Sequence, residues 1–206
     1  TFGDAVSPRA ALVFRVSESD TLKLMAGQAF RAPTLDQLYS ANNPNPDGNP
    51  DLKPETIQTW ELAWLKRWNN YHLTLTGYHS RLENLIFTDA TGATDNVGQS
   101  ESSGIEAELM ARWSPRWSLR AGYSHDLSGA VRGERYMSEH LASLIINHRR
   151  DRWNFNLSST YQTSYANPST DPAMSYTLDG HLLVNTHVRY DFGKAEAFAT
   201  ISNLLD

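Results

Sequence analysis

Glu106 and Glu108 stand two residues apart with Arg112 beyond them, and in this 206-residue sequence they are the carboxylates best spaced for acid–base work or for holding a cation. In an extended chain positions i and i+2 share a face, so His181, Asn185, His187 and Arg189 share one as well. His181 and His187 are six residues apart, roughly 20 Å along a strand, which is too far for one ion. His72, His79, His125, His140 and His148 are scattered through the chain, so no metal site is expected. Serines are plentiful, yet no G-x-S-x-G elbow, P-loop or dinucleotide fingerprint occurs. With Glu61 and Arg120, the charged side chains suit a hydrated lining better than a reaction centre. Neither catalysis nor a cofactor is expected.

The elements that carry these residues alternate apolar and polar positions. Leu12, Phe14 and Val16 begin the series, and Leu22, Leu24 and Ala26 continue it in a strand expected over 21–30. Trp60, Leu62 and Trp64 follow in 56–68, and Leu73 and Leu75 oppose His72, Thr74 and Thr76 in 71–87. Ile105, Ala107, Leu109 and Ala111 oppose the Glu106 series in 102–113. Trp117, Leu119, Ala121 and Tyr123 alternate with Ser118, Arg120, Gly122 and Ser124, whereas 141–146 is almost wholly apolar and could present either face. Trp153, Phe155, Leu157, Ser159 and Tyr161 oppose a run of Asn, Ser and Thr; strands over 178–190 and 195–202 complete ten.

The linkers are of two kinds, and they segregate. Glu18-Ser19-Asp20, Asn69-Asn70, Ser114-Pro115-Arg116, Arg150-Asp151 and the stretch 191–194 are short turns. They all fall at one end of the strands, and four long polar loops fall at the other. That division belongs to an antiparallel up-and-down transmembrane β-barrel, here an all-β fragment of about ten strands. A soluble sandwich has Greek-key crossings and no such segregation. Trp64, Trp68, Tyr71, Trp113, Trp117, Trp153 and Tyr190 cluster at the short-turn ends, where an interfacial girdle would sit.

Composition narrows the function classes. A net charge of -5 argues against a nucleic-acid binder, and the absence of cysteine removes disulfides and thiolate metal sites. No apolar run is long enough for a transmembrane helix, which leaves membrane-crossing strands open because averaged hydropathy misses them.

The longest loop, 30–55, holds five prolines and is expected to be irregular but ordered. Within it Pro33, Asn49, Pro50, Asp51, Pro54 and Glu55 read as anchors, with fixed φ and with carboxylates accepting backbone or arginine hydrogen bonds. Tyr39, Asn42, Asn43, Asn45 and Asp47 near its tip, with Arg31 at its base, are the candidates for gripping a polar or anionic ligand.

The phrases FRAPTLDQLY and NPDLKPE, then TWELAW, YHSRLENLIF, GIEAELMARWSP, LVNTHVRYDFG and ISNLLD, resemble the TonB-dependent outer-membrane receptors in type and order. The resemblance implies a barrel around a plug. It matches residues 1–206 to strands twelve to twenty-one of that barrel, so that the plug, the first half of the barrel and the closing strand lie outside the sequence. It implies an outer-membrane location in a Gram-negative bacterium, contact with outer-membrane lipid, and uptake of a scarce nutrient energised by TonB with ExbB and ExbD. Ferric siderophores are the family's commonest cargo, and cobalamin or another small nutrient is a further choice. Glu61, Glu106, Glu108, Arg112, Arg120, Asn185, His187 and Arg189 would then line the lumen or meet the plug. Haem receptors carry a histidine between the two loop boxes; this chain has none there and has Asp51 where they have Asn, so it departs from them. A passive porin is the alternative within the membrane class, and a soluble β-sheet binding protein the alternative outside it. The strands over 8–17 and 195–202 are expected to be sheet edges.

Overall fold

A computed structural model of the chain describes residues 6–40, 48–88, 93–128, 138–167 and 176–205. Ten strands join one sheet: β1 (Arg9–Arg15), β2 (Asp20–Arg31), β3 (Glu55–Trp68), β4 (Tyr71–Glu83), β7 (Gln99–Ser114), β8 (Trp117–Asp126), β9 (His140–Arg150), β10 (Trp153–Gln162), β13 (His181–Asp191) and β14 (Glu196–Ile201). Their order in the sheet is their order in the chain, with β1 and β14 as the two ends. This is the expected meander, with one correction of substance: the strand expected over 71–87 ends at Glu83, and Ile86 and Phe87 belong to a separate short strand, while Leu178 likewise falls outside the strand that begins at His181.

The loops hold structure that periodicity did not announce. β5 (Ile86–Thr88) pairs with β6 (Thr94–Asn96), and β11 (Tyr165–Asn167) pairs with β12 (Tyr176–Leu178). Each arm is three residues long, too short for an alternation to register. The expectation of a wholly irregular 30–55 loop also needs correction. Leu35–Tyr39 forms the short helix α1, whose N-cap Thr34 accepts a hydrogen bond from the Gln37 N–H while the Gln37 side chain accepts one from the Thr34 N–H. The sequence T-L-D-Q encodes that capping box, and the surrounding prolines obscured it.

Chemistry at the short turns follows the steric rule for two-residue hairpins. Asn69 adopts φ 47° and Asp151 adopts φ 53°, left-handed values that Asn and Asp tolerate better than branched residues do. The turn between β9 and β10 is therefore Asp151-Arg152, one residue later than expected.

The chain divides into two compact units, one of residues 1–12, 23–62 and 78–103 and the other of residues 13–22, 63–77 and 104–206. In the second unit the register of β7 to β14 fixes the faces. Leu157 lies opposite Ile146 on one side and Thr186 on the other, while Asn156 lies opposite Asn147 and His187. Residues directly opposite share a face. Ile105, Leu119, Ala121, Leu144, Ile146, Phe155, Leu157 and Val188 therefore form one surface, and Glu106, Glu108, Arg120, Asn147, Asn156 and His187 the other. The ambiguous stretch resolves the same way: Ala142, Leu144 and Ile146 take the apolar surface and Leu141, Ser143 and Ile145 the polar one.

The apolar surface is not a core. Among the described residues the buried apolar side chains are Leu38, Leu52, Ala63 and Ala111, whereas Leu157 is 40% exposed and Trp60 43%. Contiguous exposed apolar area of this kind on a sheet needs a membrane or a partner to cover it. At the short-turn ends of the second unit aromatic rings pair across neighbouring strands, Trp68 with Tyr71, Trp113 with Trp117 and Trp153 with Tyr190, as a girdle at a lipid–water boundary does.

Candidate functional site

Two groups of polar residues stand out, one in each unit. In the first unit the end of β2 and the start of β3 bring Arg31 against Glu55. The guanidinium donates from Nε at 2.5 Å and from a terminal nitrogen at 2.6 Å, a bidentate fork, and the Ile86 N–H donates to the same carboxylate at 2.9 Å. Glu55 is buried, and these donors, the arginine first, hold its carboxyl below the usual carboxylate range against the opposing pull of burial.

Asn96 on β6 is the second knot. Its Oδ1 accepts from the Lys53 N–H at 2.7 Å, and its amide donates to the carbonyls of Lys53 and Asn84 at 2.9 and 2.7 Å. Both amide hydrogens and the carbonyl oxygen of that side chain are engaged, so it ties the loop at Lys53 and the chain after β4 at Asn84 to the β5–β6 hairpin. Asn49 donates to the Thr94 carbonyl at 3.2 Å, and its own Oδ1 accepts from the Asp51 N–H. Gly48 lies so close to α1 that a Cβ there would meet the Leu38 and Tyr39 backbone at 2.4 Å. Leu38 and Leu52 of the same loop are both buried.

Of the residues expected to contact ligand, Arg31 is committed to Glu55 and Tyr39 exposes its ring at the end of α1. Asn42, Asn43, Asn45 and Asp47 lie outside the described residues. Among the expected anchors, Glu55 and Asn49 make the bonds above, and Asp51 contributes its backbone N–H. Asn96 was not singled out from the sequence; an Asn in a Thr-, Asp- and Gly-rich loop carries no distinguishing signal without its partners.

In the second unit the polar surface of β4, β7, β8, β9, β10 and β13 lines an open cleft of about 700 Å³. Glu106, Glu108, Arg120, Ser124, Thr160, Gln162 and His181 border it, with Thr74 and Thr76. Arg120 Nε approaches Glu108 Oε1 at 3.4 Å, so the ion pair runs between neighbouring strands. Arg112, expected beside the glutamates, sits past them near a register shift between Ala111 and Ser114, and its backbone N–H donates to the Asn70 carbonyl. His187 bonds Thr200 at 2.9 Å, Arg189 donates to Glu196 at 2.9 Å, and Asn185 accepts from the Asn203 N–H. Glu61 borders a separate cleft of the first unit with Arg9, Gln28 and Thr59. These are polar groups, two pairs of them ion-paired, suited to a polar lining. His125 and His140, which read as scattered, face each other across β8 and β9.

A family model described as "TonB dependent receptor-like, beta-barrel" matches residues 1–204. The vitamin B12 transporter BtuB of Vibrio cholerae serotype O1 is 26% identical over 213 residues, covering all of this chain and 34% of that protein. The vitamin B12 transporter BtuB of Photobacterium profundum is 25% identical, covering 92% of this chain and 32% of that protein. The chain thus spans about a third of the length of the curated relatives it matches. Among solved structures, the ferric-catecholate import receptor Fiu from K12 E. coli superposes with a TM-score of 0.79 at 18% identity, over 96% of this chain and 30% of that one. A mutant of the ferric enterobactin receptor PfeA from Pseudomonas aeruginosa, in complex with enterobactin, superposes with a TM-score of 0.79 at 18% identity, over 97% of this chain and 35% of that one. These relatives are transporters and receptors, not enzymes.

Proposed function

The chain belongs to the TonB-dependent receptor β-barrel family of Gram-negative outer membranes, and from that premise we propose that the receptor carrying it imports a scarce metal chelate, a ferric siderophore, with energy supplied through TonB. The observation that supports this most directly is the opposition of faces along β7 to β14, with Leu157 and Ile146 set toward lipid and Asn156, Glu108 and Arg120 toward water. A surface of that kind satisfies every backbone group within the bilayer and leaves a polar passage. No covalent step is required of the protein. ExbB and ExbD drive TonB, a plug inside the barrel meets the Glu106, Glu108 and Arg120 lining, and outer-membrane lipid covers the Leu157 surface. The loop tied down by Arg31, Glu55 and Asn96 holds Tyr39 outward, where its ring contacts the arriving ligand.

A second reading, cobalamin as cargo, is favoured by one observation: relatives matched along the whole chain are named as vitamin B12 transporters. Uptake of labelled ferric siderophores and of labelled cobalamin by a strain lacking the receptor, with and without its restoration, separates the two. Siderophore uptake that depends on both receptor and TonB supports the first reading, and cobalamin uptake with the same dependence supports the second. Uptake that survives loss of TonB returns the protein to the passive porins.

A further inference from the structure

We propose that His125, Glu139 and His140 bind a divalent transition-metal ion of the zinc class at the base of the loop joining β8 to β9. His125 and His140 are directly opposite in the antiparallel register, and the Asp126 N–H donates to the Glu139 carbonyl at 3.0 Å, which closes the loop's neck. Glu139 Oε1 lies 3.2 Å from His125 Nε2 and 3.6 Å from His140 Nε2, and one ligand atom from each of the three residues falls within 4.8 Å of the others. A tetrahedral ion held at about 2.0 to 2.1 Å separates its ligands by about 3.3 Å, so two of the three edges are nearly at their final length.

The surroundings orient the ring that matters. The Tyr123 hydroxyl lies 2.9 Å from His140 Nδ1. With its proton on Nδ1, His140 donates to the tyrosine oxygen and presents the Nε2 lone pair to an ion, the arrangement of a metal ligand braced by an outer partner. Two imidazoles and one carboxylate match zinc, nickel or copper; calcium and magnesium take oxygen ligands throughout. Both histidines stand on the apolar surface at the long-loop end of their strands, next to Tyr123 and Ala142. A bound ion there would staple the neck of the β8–β9 loop at the outer boundary of the bilayer.

The test is a titration of the detergent-purified receptor with Co2+, whose visible absorption intensifies in a four-coordinate site, followed by competition with Zn2+. The proposal expects one saturable Co2+ per polypeptide, displaced by Zn2+ and absent in the H125A/H140A double variant. Tyr123→Phe should retain the site and weaken it by about 10- to 100-fold. Glu139→Gln, at an exposed position that a folded barrel tolerates, should lose the four-coordinate spectrum, and heat-modifiable gel mobility confirms that each variant is folded. Equal Co2+ binding in the parent and the double variant would overturn the proposal, as would a parent with no saturable binding. The outcome is independent of the cargo.

Discussion

Replacing Leu157 with arginine is expected to destabilise the barrel by about 2–4 kcal/mol, while the same replacement at Asn156 leaves it nearly unchanged. Leu157 lies four residues beyond Trp153, whose ring packs with Tyr190 at the short-turn end of β10. Four residues advance about 14 Å along a strand, or about 10 Å of height at a tilt near 40°, close to the middle of an apolar band about 25 Å tall. An arginine there has Ile146 and Thr186 beside it and no water to reach, whereas at position 156 it would join Asn147 and His187. The difference corresponds to roughly 30- to 700-fold in the folding equilibrium, since each 1.4 kcal/mol is tenfold. Reversible denaturant unfolding of the two variants in lipid or detergent, compared by midpoint at constant slope, measures it. Equal cost at both positions, or a larger cost at Asn156, would show that the assignment of faces is wrong.

Two further outcomes concern the loop anchor. Glu55→Ala removes three hydrogen bonds from a buried carboxylate, but Arg31 is half exposed and regains water, so the expected local loss is about 2–3 kcal/mol. Amide exchange at Ile86 and Leu52 should accelerate by roughly 30- to 100-fold with little change in the global unfolding midpoint, and unchanged exchange would refute the anchoring role. Acid should have the same effect. The Glu55 pKa is lowered by Arg31, so the unfolded loop binds the proton more readily, and the anchor's contribution is complete above the ordinary carboxylate range near pH 4. It is lost as pH falls through the lowered value; exchange at Ile86 should be steady, after correction for intrinsic rate, from pH 8 to about pH 5 and rise only in stronger acid.

Period-two alternation determined the ten strands and which residues share a face, because a strand's two faces are written directly into odd and even positions. Trp153 to Tyr161 and Trp117 to Tyr123 are legible for that reason, as are the short turns with Asn69 and Asp151, where the residue type matches the backbone conformation. The family phrases added what periodicity lacks, the assignment of those faces to lipid and lumen. Local signals stop where partners come from distant segments. Leu141 to Ile146 could not choose a face until β8 and β10 paired with it. Arg31 could not be assigned to Glu55, nor Asn96 to Lys53, because bonds spanning 24 and 43 residues leave no periodic trace. His125 and His140 are fifteen positions apart in the chain and direct neighbours in the sheet. Register brings them together, and register is a property of paired strands, so only the tertiary structure could decide it.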